Sequence, residues 1–147
     1  MQVKKEDNFD FRSNCPISSA LDLIGDKWSL LIIRDLMFRS KQTYKDFTLS
    51  NETIATNILA DRLVKLEAHG LITKGKTPGN KKTNLYSLTT KGLDLMPLLA
   101  EYILWSDKYY NEHIALEAKQ FARMLRKNKN EVLHNLQGQL RDTMGLQ

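Results

Sequence analysis

The sequence is poor in cysteine and contains no long hydrophobic run. Its 147 residues include a single cysteine, Cys15, so no disulfide can form within the chain. This excludes a small secreted domain held together by disulfides and is typical of proteins in a reducing cytoplasm. The longest apolar stretch, residues 30–33, ends at Arg34. A membrane-spanning helix needs roughly 20 apolar residues, and the charged first residues lack the apolar core of a signal peptide. We therefore expect a cytoplasmic protein with no membrane segment.

Signals of catalysis are missing as well. The three histidines, His69, His113 and His134, lie far apart and lack the spacing of metal ligands. The sequence contains neither a glycine-rich phosphate-binding loop nor a nucleophile motif. We expect a protein that is not an enzyme and that holds no metal and no other cofactor.

Acidic residues are absent between Glu67 and Asp94. The whole chain carries a formal net charge of +5, which by itself is compatible with many functions. The stretch without acids, however, contains five lysines: Lys74, Lys76, Lys81, Lys82 and Lys91. A cluster of one sign indicates a surface for a polyanion such as nucleic acid.

A helix–turn–helix pattern lies in the middle of the chain. Residues 44–49 are predicted to form a short helix, residues 50–51 a turn, and residues 55–68 a longer helix. The spacing i, i+4, i+7 gives the longer helix one narrow apolar face, formed by Leu59, Leu63 and Leu66. The opposite face is small and mostly polar, as a helix in the DNA major groove requires. Gly70 ends this helix, because glycine adopts the left-handed conformation at little cost.

A basic hairpin follows the longer helix directly. Residues 71–76 and 84–88 read as two strands, and residues 77–83 between them contain the turn dipeptides Pro-Gly and Gly-Asn. A helix–turn–helix followed by such a hairpin is the outline of a winged helix–turn–helix. The predicted fold is therefore mainly α-helical with a small β-hairpin wing.

Further helices flank this motif. Pro16 begins a helix that ends near Ile24, and Asp26 caps a second one over residues 27–38. Thr89 caps a long helix that ends near Tyr110. The apolar surface of this helix is larger than one small core can cover, so we expect part of the helix to pack against a second copy of the chain.

The chain is divided accordingly into three parts. Residues 1–14 are predicted to be a flexible arm, residues 15–110 the winged helix–turn–helix domain, and residues 111–147 a helical extension with a break at residues 127–130.

Six short motifs follow one another in unbroken order: CPI at 15–17, ALDLIGDKW at 20–28, LIIRDL at 31–36, LADRL at 59–63, LEAHGLI at 66–72 and YSLTTKG at 86–92. Together they resemble the HxlR family of bacterial transcription regulators over roughly residues 15–110. The resemblance implies a homodimer that pairs through its N-terminal and C-terminal flanking helices and binds a pseudo-palindromic operator on double-stranded DNA, here expected to act as a repressor.

The resemblance also bears on Cys15. Some members of the family sense electrophiles or oxidants through a cysteine at the matching position. A thiol just before a helix N-terminus feels a partial positive charge that favours the thiolate. The alternative is that Cys15 is a small packing residue.

The candidate DNA-contacting residues fall into three groups. In the longer helix, those expected to point into the groove are Thr56, Asn57, Ala60 and Asp61. Ahead of this helix, Ser50 and Thr53 are expected to hold phosphates. The predicted wing contacts are Lys74, Lys76, Lys81 and Lys82, the last two at the wing tip.

Arg62 and Asp61 of the longer helix each have two possible roles. Arg62 either reaches a phosphate or pairs with an acidic neighbour such as Asp46 or Glu67. Asp61 would repel phosphate unless it accepts a hydrogen bond from a cytosine amine or pairs with a basic residue.

Two other functions are compatible with the sequence. Winged helices also serve as protein–protein docking modules, although such a module has no need of an acid-free lysine cluster. The second alternative is a regulator that responds to a small molecule. Its pocket would lie at the dimer seam, near Trp28 and Trp105, and the sequence does not identify the effector.

Overall fold

The computed structural model describes residues 9–146. The elements of this part are α1 (Pro16–Ile24), α2 (Lys27–Phe38), α3 (Tyr44–Thr48), α4 (Thr56–Ala68), β1 (Ile72–Thr77), β2 (Asn80–Leu88), α5 (Thr90–Leu93), α6 (Met96–Tyr110), a 3₁₀ helix (Asn111–His113) and α7 (Leu116–Met144). β1 and β2 form a two-stranded sheet. The prediction of a mainly helical fold with a small hairpin is confirmed. No helix within residues 9–146 is long and apolar enough to cross a membrane.

The chain forms two compact units, of which the first ends at Ser87 and the second begins at Leu88. The predicted division at residues 14 and 110 stays a prediction. Residues 1–8 of the predicted arm lie outside the described residues. Its remaining part contacts the first unit, because the ring of Phe9 lies 5.1 Å from that of His69 and Arg12 forms an ion pair of 2.5 Å with Asp22.

The core of the first unit is built by α2 and α4, which pack against each other. Asp26 caps α2 as predicted, by accepting a hydrogen bond of 2.9 Å from the Ser29 amide. The apolar face predicted for α4 is confirmed, because Leu59, Leu63 and Leu66 are between 0% and 2% exposed. With its leucines buried, α4 has a fixed rotation about its own axis, and its other face is turned to solvent.

The wing differs from its prediction. β2 begins at Asn80 rather than at residue 84, so only Pro78 and Gly79 separate the two strands. Gly79 has a φ of 77°, a conformation that glycine adopts without strain and that lets the chain reverse at once. The Asn80 side chain then accepts from the Lys82 amide at 3.0 Å and donates to Thr83 Oγ1 at 3.0 Å, which orders the residues expected to be a loop.

In the second unit, α7 runs antiparallel to α6. Arg126 pairs with Asp107 at 2.5 Å and Lys129 pairs with Glu101 at 2.5 Å, so the α6 numbers fall as the α7 numbers rise. α7 is kinked at Asn128, which has a φ of −158° and a ψ of 81°, within the break predicted at residues 127–130.

The long helix predicted from Thr89 to Tyr110 is two helices, α5 and α6. Thr89 does cap the first one, by accepting a hydrogen bond of 3.1 Å from the Gly92 amide. Pro97 has no N–H to donate to the carbonyl four residues earlier, and its ring clashes with that carbonyl in a continuous helix. It lies instead in the first turn of α6, where the missing donor costs nothing.

Candidate nucleic-acid interface

One face of α4 is open along its whole length. The side chains predicted to enter the groove are exposed: Thr56, Asn57, Ala60 and Asp61. Val64, one turn after Ala60, is 65% exposed and continues this face. The Tyr44 hydroxyl donates to the Thr56 carbonyl at 2.8 Å and so fixes the start of α4 against α3. The face therefore has the shape and exposure that base reading requires, while contact with bases stays a prediction.

Arg62 lies beside this face and is held by two carboxylates. Its Nε donates to Asp26 Oδ1 at 2.9 Å, and its Nη1 contacts Asp61 Oδ2. Of the two sequence interpretations, pairing with an acid is the observed one, but Asp46 and Glu67 are not the partners. Contact of Arg62 with phosphate stays a prediction, and one that these ion pairs oppose.

Asp26 is the link between this ion pair and the cap of α2. Burial acts to raise the pKa of the Asp26 carboxyl, but hydrogen bonds from Ser29 and Arg62 outweigh it and lower the pKa overall. Asp26 is therefore ionised at neutral pH and binds α4 to the N-terminus of α2. The sequence did not signal this contact, since Asp26 and Arg62 are 36 positions apart.

Ser50 does not lie where the sequence analysis expected it. The residue is 7% exposed, and its hydroxyl donates to Asp35 Oδ2 at 2.5 Å while accepting from Lys41 Nζ at 2.6 Å. Contact of Ser50 with phosphate stays a prediction, and one that this burial and the hydrogen bond to the buried Asp35 oppose. Thr53, by contrast, is exposed and has a φ of 52°, a conformation rarely adopted by a β-branched residue.

Two residues missed by the sequence analysis fix the turn between α3 and α4. Arg34, from α2, donates to both carboxylate oxygens of Glu52, at 2.5 Å and 3.1 Å, and also to Asp35 at 2.9 Å. The hydrogen bonds from Arg34 lower the pKa of Glu52 to about 2. Arg34 and Glu52 are 18 positions apart, so no local sequence pattern predicts their pairing, which depends on the packing of α2 beside the turn.

The wing presents a row of cations. All four predicted wing lysines are exposed: Lys74, Lys76, Lys81 and Lys82. Lys76 Nζ donates to Asn84 Oδ1 at 2.7 Å across the hairpin. Within the described residues, none of the four forms an ion pair with a carboxylate, so their charge is not neutralised by the protein.

Cys15 is the N-cap residue of α1, and its side chain is exposed. Its amide donates to Ser13 Oγ at 3.2 Å. The thiol therefore lies at the helix N-terminus as predicted, and its exposure within the single chain opposes the interpretation of Cys15 as a packing residue.

Small-molecule and metal sites find little support in the described residues. The cavity bordered by Trp28 also touches Arg34 and Glu52, and its volume of about 10 Å³ suits a single water molecule. In residues 9–146, no group of three or more His, Cys, Asp or Glu side chains is arranged to hold a metal ion.

The sequence is similar to several known transcription regulators. The family model described as HxlR-like helix-turn-helix matches residues 23–114. An uncharacterised HTH-type transcriptional regulator of Synechocystis, sll1512, is 33% identical over 107 residues, which cover 72% of this chain and 78% of that protein. The HTH-type transcriptional regulator YodB of Bacillus subtilis is 33% identical over 96 residues, which cover 65% of this chain and 85% of that protein.

Solved structures of similar proteins have the same fold. The reduced form of YodB matches with a TM-score of 0.54 and 31% identity, over 66% of this chain and 95% of that one. YodB has also been solved after diamide treatment and with bound quinone. The redox regulator HypR in its oxidised form matches with a TM-score of 0.57 and 27% identity, over 64% of this chain and 96% of that one.

Proposed function

This chain belongs to the HxlR-like helix-turn-helix family of transcription regulators, and we propose that it acts as a homodimer that represses transcription by binding a pseudo-palindromic operator. In this proposal α4 enters the major groove and the β1–β2 hairpin contacts the adjacent backbone. A dimer that covers two half-sites excludes other proteins from the promoter, which is the reason for proposing repression.

The observation that carries the proposal is the open face of α4. Because the leucines of α4 are buried, only the opposite face of the helix is turned to solvent. That face combines hydrogen-bonding side chains with small apolar ones, which are the types that read base edges. The hairpin that follows adds exposed lysines that form no ion pair with a carboxylate of residues 9–146, which leaves them available for phosphates.

Exposed apolar residues on both flanking helices support a dimer. On α6, four side chains at a spacing of 4, 3 and 4 residues are between 41% and 59% exposed: Leu98, Tyr102, Trp105 and Tyr109. This is the spacing of a helix–helix seam. On α1, Ile17 and Leu21 are 71% and 54% exposed. Each of these two sets of exposed apolar side chains is one that a second subunit would cover.

Operator binding is tested by a gel-shift assay with DNA from upstream of the gene that encodes the chain. We expect a shift that an excess of unrelated DNA does not abolish, and a stoichiometry of two chains per duplex. If the protein binds every duplex equally, or none, the proposal of a sequence-specific regulator is wrong. A reporter under the bound promoter then decides the sign: expression should rise when the gene is deleted.

We further propose that Cys15 makes this regulator responsive to oxidants or electrophiles. The thiol is exposed at the N-terminus of α1, so an oxidant or electrophile in solution can reach it. YodB and HypR, whose structures were solved in different redox or quinone-bound states, are similar regulators. With one cysteine per chain, a disulfide formed on oxidation would have to join Cys15 to the cysteine of another chain or to a small thiol. Two thiols then lose two electrons and two protons to the oxidant.

The response is tested by treating the protein with hypochlorite or a quinone. We expect the mass of the Cys15 peptide to change and operator affinity to change with it, whereas the Cys15→Ser variant should keep its affinity. An unchanged mass and affinity in the wild-type protein would contradict the proposal.

A further inference from the structure

The two oxygens of the Asp61 carboxylate have different surroundings. Lys65 Nζ lies 3.0 Å from Oδ2, and Arg62 Nη1 also contacts Oδ2. Within the described residues no hydrogen bond is donated to Oδ1, and the Asp61 side chain has no polar partner other than these two cations. Oδ1 is therefore an unused acceptor on the face of α4 that is turned to solvent.

The position of this acceptor is determined by the core of the first unit. Arg62 is held by Asp26, and Asp26 is itself held by the amide and hydroxyl of Ser29, at 2.9 Å and 2.6 Å. Ser29 is buried. A chain of hydrogen bonds therefore runs from the first turn of α2 to Asp61, so the carboxylate does not move as freely as an exposed side chain on a helix normally does.

The same contacts make a carboxylate tolerable beside DNA. An isolated negative charge on the groove-facing side would be repelled by phosphates on both strands. Lys65 and Arg62 donate to the Asp61 carboxylate and lower its pKa, so it stays ionised, and their positive charge offsets its own. The arrangement has no net negative charge, yet it keeps one strong acceptor.

We propose that Asp61 Oδ1 accepts a hydrogen bond from the exocyclic amine of cytosine and makes Asp61 the residue that selects a C·G pair in each half-site. In the major groove cytosine presents a donor without a neighbouring acceptor. Adenine presents its amine beside the N7 acceptor, which repels a carboxylate, while guanine and thymine present acceptors on the same edge. This inference rests on the proposed function, because it assumes that α4 reads DNA.

The experiment is selection from a random duplex library, followed by sequencing, with four proteins. They are the wild type, Asp61→Ala, Asp61→Asn and the control Glu67→Gln. Glu67 is an exposed acid near the C-terminal end of the same helix, so its replacement removes the same charge without touching the acceptor. Thermal unfolding of each variant checks that the fold is retained, which the exposure of both positions favours.

We expect one position per half-site at which the wild type and Glu67→Gln both require cytosine. Asp61→Ala should lose that preference by about 5- to 100-fold, and Asp61→Asn should shift it toward adenine, with which asparagine forms two hydrogen bonds. Preferences at the other positions should stay. An Asp61→Ala variant with the same base preferences as the wild type would overturn the inference while leaving the proposed function intact. A wild type that selects no sequence would refute the proposed function, and the inference with it.

Discussion

Arg34 on α2 holds Glu52, in the turn before α4, through two parallel hydrogen bonds of 2.5 Å and 3.1 Å. A paired fork of this kind restricts orientation as well as distance. Because the same arginine also binds the buried Asp35, the turn is fixed to the core rather than to solvent-exposed groups. The angle at which α4 leaves the turn therefore depends on this pair.

The first prediction concerns acid stability. The folded pKa of Glu52, about 2, lies below its ordinary value of 4.5. The pair therefore stabilises the fold fully above pH 4.5, and its contribution is lost as the pH falls toward 2. Glu52→Gln should lower the free energy of unfolding by about 1 kcal/mol at neutral pH, a figure reduced for solvent screening. The check is urea unfolding of both proteins between neutral pH and about pH 2. The difference in the free energy of unfolding between Glu52→Gln and the wild type should become smaller as the pH falls. The exposed Glu112→Gln is the control, and a difference that is constant with pH would exclude the pair as its cause.

The second prediction separates the structural role of Ser50 from phosphate binding. Ser50→Ala removes the hydroxyl that donates to the buried Asp35, and should lower the free energy of unfolding by about 1–3 kcal/mol. The dependence of DNA affinity on salt should not change, because no phosphate contact is lost. Thr90→Ala, which removes the hydroxyl of an exposed residue of α5, should change stability by less than about 0.5 kcal/mol. If the DNA affinity of Ser50→Ala depends less on salt than that of the wild type, Ser50 does contact a phosphate.

The third prediction concerns the wing. Replacing Lys81 and Lys82 by glutamine should weaken binding equally for operator and unrelated DNA, and should lower the slope of log affinity against log salt by about one for each lost contact. Lys127→Gln on α7 removes an exposed lysine outside the proposed interface and should leave the slope unchanged. Equal slopes for the wing variant and the wild type would show that the hairpin does not contact DNA.

The fourth prediction concerns the exposed seam of α6. Trp105 is 56% exposed and its ring lies 5.4 Å from that of Tyr109. If a second subunit covers this seam, Trp105→Glu introduces an unpaired charge into the interface and should raise the dimer dissociation constant by about 100-fold. Analytical ultracentrifugation measures this directly. Met124→Glu, at a similarly exposed position of α7, is the control. If the Trp105→Glu variant remains dimeric, the dimer interface does not include this face of α6.

The limits of the first helices depended on short-range features and were predictable. Pro16 and Gly25 mark the two ends of α1 and Asp26 caps the start of α2, and each acts on backbone groups within four positions of itself. The leucine spacing of α4 likewise gave its buried face, and hence the exposed face opposite. The placement of Cys15 before a helix follows from the adjacent proline.

The partners of the polar side chains were decided only by tertiary structure. Ser50 became a buried donor, Arg62 paired with Asp26, and Arg34 paired with Glu52, in each case because α2 packs beside the turn or beside α4. These pairs join residues 15 to 36 positions apart, so no local periodicity encodes them. The sequence alone determined which face of α4 is turned to solvent, since burial of apolar side chains depends on helix spacing. Packing determined the partners that Arg62 and Arg34 find, since their pairs with Asp26 and Glu52 form only where two elements meet.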